Sequence, residues 1–196
     1  LVGQPNVGKS LLINGLCHSN MKVGNFTGVT VEKAEASTTH KGYTLQIIDL
    51  PGTYSLYGYS EEEKITKNFV ESNHYDLIVN VVDSTNLERN LLLSAQLLEM
   101  QKKMILALNM SDEARKEGIK INEKALSELL GIPSVQVSAH TKENLELLLD
   151  SIVEMHETGQ NTNKRIYSNA IETEILHLEE FIESKKDASI ESLQLS

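Results

Sequence analysis

The 196-residue chain carries a formal net charge of −10, which disfavours non-specific nucleic-acid binding, since that needs a Lys/Arg surface and Lys102–Lys103 is only a local basic pair. With 40% hydrophobic and 23% charged residues and no Trp, it has the composition of an ordinary folded domain with room for one α/β unit and part of a second. One cysteine, Cys17, excludes a disulfide framework and a Cys-type zinc site, and no apolar run approaches the 18 residues of a membrane span.

Leu1 and Val2 read as the last two residues of a strand whose start would precede the chain. Lys9 to His18 reads as a helix with Leu11, Leu12 and Leu16 apolar, and Cys17 as a small buried residue near its end. Residues 20 to 32 are rich in Gly, Asn and Thr and read as a loop. Val31–Thr39 and Tyr43–Leu50 read as two antiparallel strands joined by a turn at Lys41–Gly42. Residues 51 to 60 form a loop, and Glu61–Ser72 a helix. Asp76–Asp83 is short and β-branched, the mark of a buried parallel strand. Leu87–Gln101 is an apolar helix, Lys103–Asn109 the next strand, and Asn122 caps a helix that runs to Leu130 and stops at Gly131. Pro133–Ser138 is the last strand, and Lys142–Met155 a helix with Leu145, Leu148, Leu149 and Ile152 on one face. Residues 158 to 165 read as a polar linker before an amphipathic helix over Ala170–Lys185, whose glutamates form a solvated face. The expected fold is α/β: a doubly wound, mostly parallel six-stranded sheet flanked by helices, followed by the start of an all-α domain. Ligands bind such sheets at the carboxyl ends of the strands, and every motif below falls there.

Residues 3 to 10, GQPNVGKS, fit G-x-x-x-x-G-K-[ST] between a strand end and a helix start. In that context Gly3, Gln4, Pro5, Asn6, Val7 and Gly8 wrap a phosphate, and all but Pro5 have a backbone N–H to aim at it, aided by the helix dipole. Lys9 supplies a charge to the β and γ phosphates, and Ser10 a hydroxyl to Mg²⁺. Asp49 ends a strand in DLPG, where a P-loop protein holds Mg²⁺, and Gly52 lets its N–H approach a γ-phosphate. Asn109-Met110-Ser111-Asp112 follows KMILALN, and a carboxylate at Asp112 matches guanine N1–H and N2–H, donors that adenine lacks. The usual reader is Asn-Lys-x-Asp, so Met110 stands where a Lys stem covers the base. Ser138 and Ala139, after the last strand, suit a loop whose backbone faces guanine O6. Residues 23 to 33, VGNFTGVTVEK, occupy the place of a first switch loop. Thr30, behind Gly28 and Val29, is the favoured Mg²⁺ and γ-phosphate residue, with Thr27 the second candidate. Thr53 follows Gly52 where Ras-like GTPases carry a water-orienting Gln, and its hydroxyl is too short for that reach.

Together GQPNVGKS, VGNFTGVTVEK, DLPGTYSL, VVDSTNLERNL and NMSD resemble the cytosolic GTPase domain of the FeoB family of bacterial ferrous iron transporters. The resemblance covers roughly residues 1 to 157, a G domain, and residues 158–196 resemble a linker and part of the helical, dissociation-inhibitor-like domain that follows in the family. It implies a slow GTPase that regulates or drives ferrous iron uptake, with GTP/GDP as ligands and the membrane domain of the same full-length chain as partner. It also implies a place at the cytoplasmic face of the bacterial inner membrane. It implies that K⁺ assists hydrolysis, held by Asn6 and by carbonyls of Gly24 and Phe26, so that Asn6, Lys9, Thr30 and Gly52 carry catalysis with Mg²⁺ on Ser10, Thr30 and Asp49. A fixed monovalent cation there offsets charge developing between the β and γ phosphates. Switch loops commonly form interfaces, so a homo-oligomer through them stays open. The alternatives are a ribosome- or tRNA-modification-associated GTPase, which the acidic charge disfavours, and a nucleotide-sensing module with negligible turnover.

Overall fold

The computed structural model describes residues 1–17, 22–26, 32–158 and 173. The chain divides into two compact units, Leu1–Asn163 and Lys164–Ser196, and the first contains all the elements below. The expected linker beyond residue 158 and the helix over 170–185 lie outside the described residues, Thr173 apart.

Seven strands are described: β1 (Val2–Gly3), β2 (Lys22–Asn25), β3 (Glu32–His40), β4 (Tyr43–Asp49), β5 (Ile78–Asp83), β6 (Met104–Asn109) and β7 (Ser134–Gln136). The helices are α1 (Lys9–Leu16), α2 (Glu61–Ser72), α3 (Leu87–Glu99), α4 (Ser111–Lys116), α5 (Glu123–Leu130) and α6 (Leu145–Thr158). Strands β1, β5, β6 and β7 pair in that order, all parallel, while β2, β3 and β4 form an antiparallel meander. The two ladders meet edge to edge. The Leu1 nitrogen donates to Ile48 O at 2.5 Å and Leu50 N–H donates to Leu1 O at 3.1 Å, the slanted pattern of a parallel pair. The architecture is thus the expected P-loop α/β fold with one strand more than the sequence suggested. That strand, β2, lies in the Gly/Asn-rich loop, and its pairing with β3 (Lys22 opposite Glu35, Asn25 opposite Glu32) supplies what local propensity does not.

The sheet sorts its side chains with a period of two. Val79, Val81, Ile105 and Ala107 face one core cluster with Leu12, Ile13, Leu16, Leu148 and Leu149 of α1 and α6. Ile78, Val82, Met104, Leu106 and Leu108 face the other, with Val70 of α2 and Leu93 and Leu97 of α3. Each such buried side chain contributes roughly 1.5–3 kcal/mol. One polar residue sits mid-strand: Asn80 is fully buried, donates to Val2 O at 3.3 Å and accepts from Ser94 Oγ at 2.5 Å, so it ties β1 and α3 to β5.

Turns and caps follow the sequence. Lys41 (φ 46°) and Gly42 (φ 83°) are both left-handed and close the β3–β4 hairpin with His40 opposite Tyr43. Ser60 opens α2 with a reciprocal capping box to Glu63, and Asn122 caps α5 through Ala125 N–H. Most element ends fall within two residues of expectation, and two differences are larger. Residues Ser111–Lys116, assigned to no element from the sequence, form α4. Helix α6 begins at Leu145 rather than Lys142, because Lys142 and Asn144 have positive φ and reciprocal backbone bonds between Ser138 and Glu143 close a loop there.

Candidate nucleotide-binding site

The loop Gly3–Ser10 leaves β1 and enters α1. Gly8 is left-handed (φ 85°) at the helix N-cap, and a Cβ there would lie 2.5 Å from Asn109 Nδ2. Gly3 meets Val81 O at 2.3 Å in the same test, so neither position admits a side chain. Asn6 also adopts positive φ (65°) and is exposed. Gln4 is buried and its amide donates to Arg89 O at 2.8 Å, which fixes the loop to the start of α3. The Lys9 ammonium is folded back under the loop, 3.3 Å from both Gly3 O and Gln4 O. Burial pushes its pKa down, and the nearby Asp49 carboxylate opposes that shift in part. A buried cation held only by carbonyls suits an incoming polyanion.

Ser10 Oγ donates to Asp49 Oδ2 at 3.1 Å, joining the loop to the end of β4. Asp49 Oδ1 is buried without a hydrogen bond. A hydroxyl and a carboxylate with an orphaned oxygen are hard oxygen donors, so these two residues fit Mg²⁺. Beyond Asp49, Gly52 presses on the phosphate loop: a Cβ there would lie 2.9 Å from Pro5 Cα. Thr53 N–H donates to Gly3 O at 3.2 Å. The Thr53 side chain is 1% exposed, donates to Ser55 O at 2.6 Å and accepts from Ser55 N–H at 3.3 Å. It is occupied by its own turn.

At the ends of β6 and β7 a single side chain assembles the rest. Asn109 donates to Val7 O at 2.8 Å and accepts from Ala139 N–H at 3.0 Å, so phosphate loop, NMSD segment and Ser138–Ala139 meet at one buried amide. Met110 is left-handed (φ 60°) and caps α4, with its Cε 3.8 Å from the position of a Gly8 Cβ, beside the phosphate loop. Asp112, 8% exposed, opens α4. Its Oδ2 is buried without a hydrogen bond, with Lys116 Nζ 3.6 Å away. The Ser138 hydroxyl beside it, ahead of Lys116, holds the carboxyl below its ordinary range, so Asp112 is an anion set to accept N–H donors. Arg115 of α4 forms a forked ion pair with Glu143 beyond Ser138, bracing the two halves of this corner.

The remaining expected residues are not all gathered here. Thr27, Gly28, Val29 and Thr30 lie outside the described residues. Gly24 is in β2 opposite Lys33, in open surroundings. The Phe26 ring packs edge-on against Phe69 at 6.3 Å, with Lys33 Nζ 5.9 Å from its centre. No hydrogen bond joins Gly24 or Phe26 to Asn6 among the described residues. A cavity of about 390 Å³ opens at the other ends of β1 and β5, lined by Leu1, Tyr43, Leu45, Leu77, Ile152 and His156 among others; Leu50 of DLPG borders it, but Asp49, Gly52, the phosphate loop and the NMSD segment do not. Two residues given no role from the sequence prove to hold the site's loops, both on α3: Gln96, outside every motif, and Arg89, within VVDSTNLERNL. Leu56 N–H donates to Gln96 Oε1 at 2.9 Å, and the Arg89 guanidinium lies 4.8 Å from the Tyr54 ring centre.

Residues 1–152 match the family described as ferrous iron transport protein B. The Fe(2+) transporter FeoB of Campylobacter jejuni is 62% identical over 168 residues, covering 86% of this chain and 27% of the relative. That of Helicobacter pylori strain J99 is 60% identical over 169 residues, covering 85% and 26%. The chain thus spans about a quarter of the length of these curated relatives. Among solved structures, the cytosolic domain of T. maritima FeoB in apo form aligns with TM-score 0.84 at 46% identity, covering 94% of this chain and 73% of that one. Its GDP form I aligns with TM-score 0.85 at 44% identity, covering 94% and 72%, and its GMPPNP form with TM-score 0.82 at 44%, covering 94% and 73%. A phosphate loop, an Asp–Ser pair and a braced Asn-x-x-Asp corner on a P-loop GTPase fold, matched over most of the chain, place it in the ferrous iron transport protein B family.

Proposed function

We propose that this chain is a GTP-binding and GTP-hydrolysing module that regulates or drives ferrous iron uptake by the membrane part of a longer FeoB-type protein. The observation that carries the nucleotide reading is Asn109. One buried side chain binds both the phosphate loop and the Ser138–Ala139 loop, with Asp112 three residues on. A ligand spanning these elements has phosphates at one end and a base with paired N–H donors at the other. The iron reading rests on the family and on the relatives' names. Among the described residues no helix is long and apolar enough to cross a membrane, so transport itself belongs to the full-length protein at the cytoplasmic face of the inner membrane.

In this reading the loop from Gly3 to Gly8, Pro5 apart, directs N–H groups at the β phosphate, and Lys9 moves from its two carbonyls to the β and γ oxygens. Ser10 and Asp49, with Thr30, hold Mg²⁺, which when bound neutralises charge on the transferring phosphoryl group. Gly52 brings its N–H to the γ-phosphate. Thr53 takes no part in orienting water, because its hydroxyl is engaged with Ser55. Asn6, with carbonyls of Gly24 in β2 and of Phe26 just after it, would hold K⁺. Turnover is slow without an arginine finger.

The guanine reading is tested by nucleotide binding to wild type and Asp112→Asn. Wild type is expected to bind GDP on the order of a hundredfold tighter than ADP, since a mismatched base leaves a buried carboxylate unpaired. The Asn variant, which can donate to xanthine O2, is expected to prefer XDP. Equal affinity of wild type for ADP and GDP overturns the reading. Hydrolysis in equal KCl and NaCl, with Asn6→Ala, tests the cation: K⁺ stimulation lost in the variant supports it, and equal rates in both salts remove it.

A further inference from the structure

We propose that Gln96 of α3 is a positioning residue that latches the loop Gly52–Ser60 in the nucleotide-free protein, and that the latch is released when a γ-phosphate draws on Gly52. This rests on the GTP reading above and adds the device by which the site would signal its state.

The loop is pinned at both ends. At one, Gly52 packs on Pro5, Thr53 N–H binds Gly3 O, and buried Thr66 donates to Pro51 O at 3.2 Å. At the other, Ser60 closes the capping box of α2. Between them, among the described residues, the hydrogen bonds that reach the loop from elsewhere come from Gln96. Its Oε1 accepts from Leu56 N–H at 2.9 Å, and its Nε2 donates to Ser55 Oγ at 3.2 Å. Leu56 is 2% exposed and its side chain joins the core cluster of α3. Its N–H is therefore a buried main-chain donor whose partner is a side chain. A main-chain donor satisfied by one amide is held or freed as a unit, unlike a strand whose ladder shares the load. Arg89, about two turns earlier on the same helix, lies over Tyr54 and adds a weaker hold. Gly52 and Leu56 are four residues apart, so a pull on the Gly52 N–H toward a phosphate is transmitted to Ser55 and Leu56. The tyrosines outside the latch are solvent-facing, Tyr57 at 59% and Tyr59 at 93% exposure, so the surface that would change on release is already at the boundary with solvent.

The experiment is residue-resolved amide hydrogen exchange on the 196-residue chain, as wild type, Gln96→Leu and Gln96→Glu. Leu removes both bonds at similar volume. Glu keeps an acceptor for Leu56 N–H and accepts from the Ser55 hydroxyl. In the nucleotide-free state Gln96→Leu is expected to speed Leu56 exchange about tenfold or more, while Gln96→Glu stays near wild type. With Mg²⁺ and GMPPNP, wild-type Leu56 exchange is expected to rise toward that of Gln96→Leu, and with GDP to stay low. GDP affinity is expected to be the same in all three proteins, since the latch touches no base or β-phosphate residue. Unchanged Leu56 exchange in Gln96→Leu overturns the latch. Unchanged wild-type exchange under bound GMPPNP overturns its release. Failure of wild type to bind either nucleotide overturns the GTP reading instead, and the nucleotide-free comparison of the variants still decides whether Gln96 holds the loop.

Discussion

The two ends of the site are built differently. The base end is a corner of strand termini: Asn109 is 2% exposed and bonded on both faces of its amide, Ser138 is fully buried, and α4 is braced by Arg115–Glu143. The γ-phosphate end is a loop of local turns, with Thr53 turned onto Ser55, Ser55 Oγ accepting from Tyr57 N–H, and the rest held from α3. A base is the same in GTP and GDP, so its reader can be rigid. The γ-phosphate is what distinguishes them, so the residues that sense it must have somewhere to move.

Substitutions test that contrast. The largest effect is expected from Gly8→Val, which combines a left-handed backbone with a Cβ 2.5 Å from Asn109 Nδ2. It should cost about 3 kcal/mol or more in urea unfolding and abolish nucleotide binding. Next is Asn109→Leu, which leaves Val7 O and Ala139 N–H buried and unpaired. A loss of about 2–3 kcal/mol is expected, with guanine affinity falling alongside it. A loss under ~0.5 kcal/mol would mean that the corner is not braced by this amide. Thr53→Ala removes the turn at the other end. It should cost about 1 kcal/mol while GTP turnover stays within roughly threefold. A collapse in turnover would instead make Thr53 a water-orienting group.

The smallest effect is the acid limb of Asp112. Its folded pKa lies below the ordinary 3.8, chiefly through Ser138. A depressed carboxylate contributes stability that is complete above its unfolded pKa and is lost as pH falls through the folded one. Asp112→Asn should therefore flatten stability against pH below about pH 4 and leave it parallel to wild type at neutral pH. A wild-type slope retained in the variant would assign that limb to other carboxylates.

Several features were legible because they are written locally. The short apolar runs DLIVNVVD and KMILALN announced β5 and β6, Asn122 and Gly131 announced the two ends of α5, and Lys41–Gly42 announced the hairpin turn. The phosphate loop is a motif whose glycines are demanded by nearby backbone. Helix α4 was missed although its signals were present: Asp112 and Glu113 in the first turn, Arg115 and Lys116 in the last, and a left-handed Gly118 after it. Those residues were read only as a guanine motif following a strand. Strand β2 carries no such signal, since KVGN is a poor strand former by itself.

The sequence by itself determined the order of the elements other than β2 and α4, the phosphate-loop motif, and the residues proposed for Mg²⁺ (Ser10 and Asp49) and for the base (Asp112), because each depends on residues near one another or on a fixed motif. The tertiary structure alone decided what those residues touch. Asn109 became the joint of three segments, the Thr53 hydroxyl was bonded to Ser55, and Gln96, forty residues beyond Leu56, became the acceptor for that residue's buried N–H. Those are contacts between side chains and backbone atoms distant in sequence. Their geometry is fixed only when the sheet brings β4, β6 and β7 to one end and packs α3 beneath the loop.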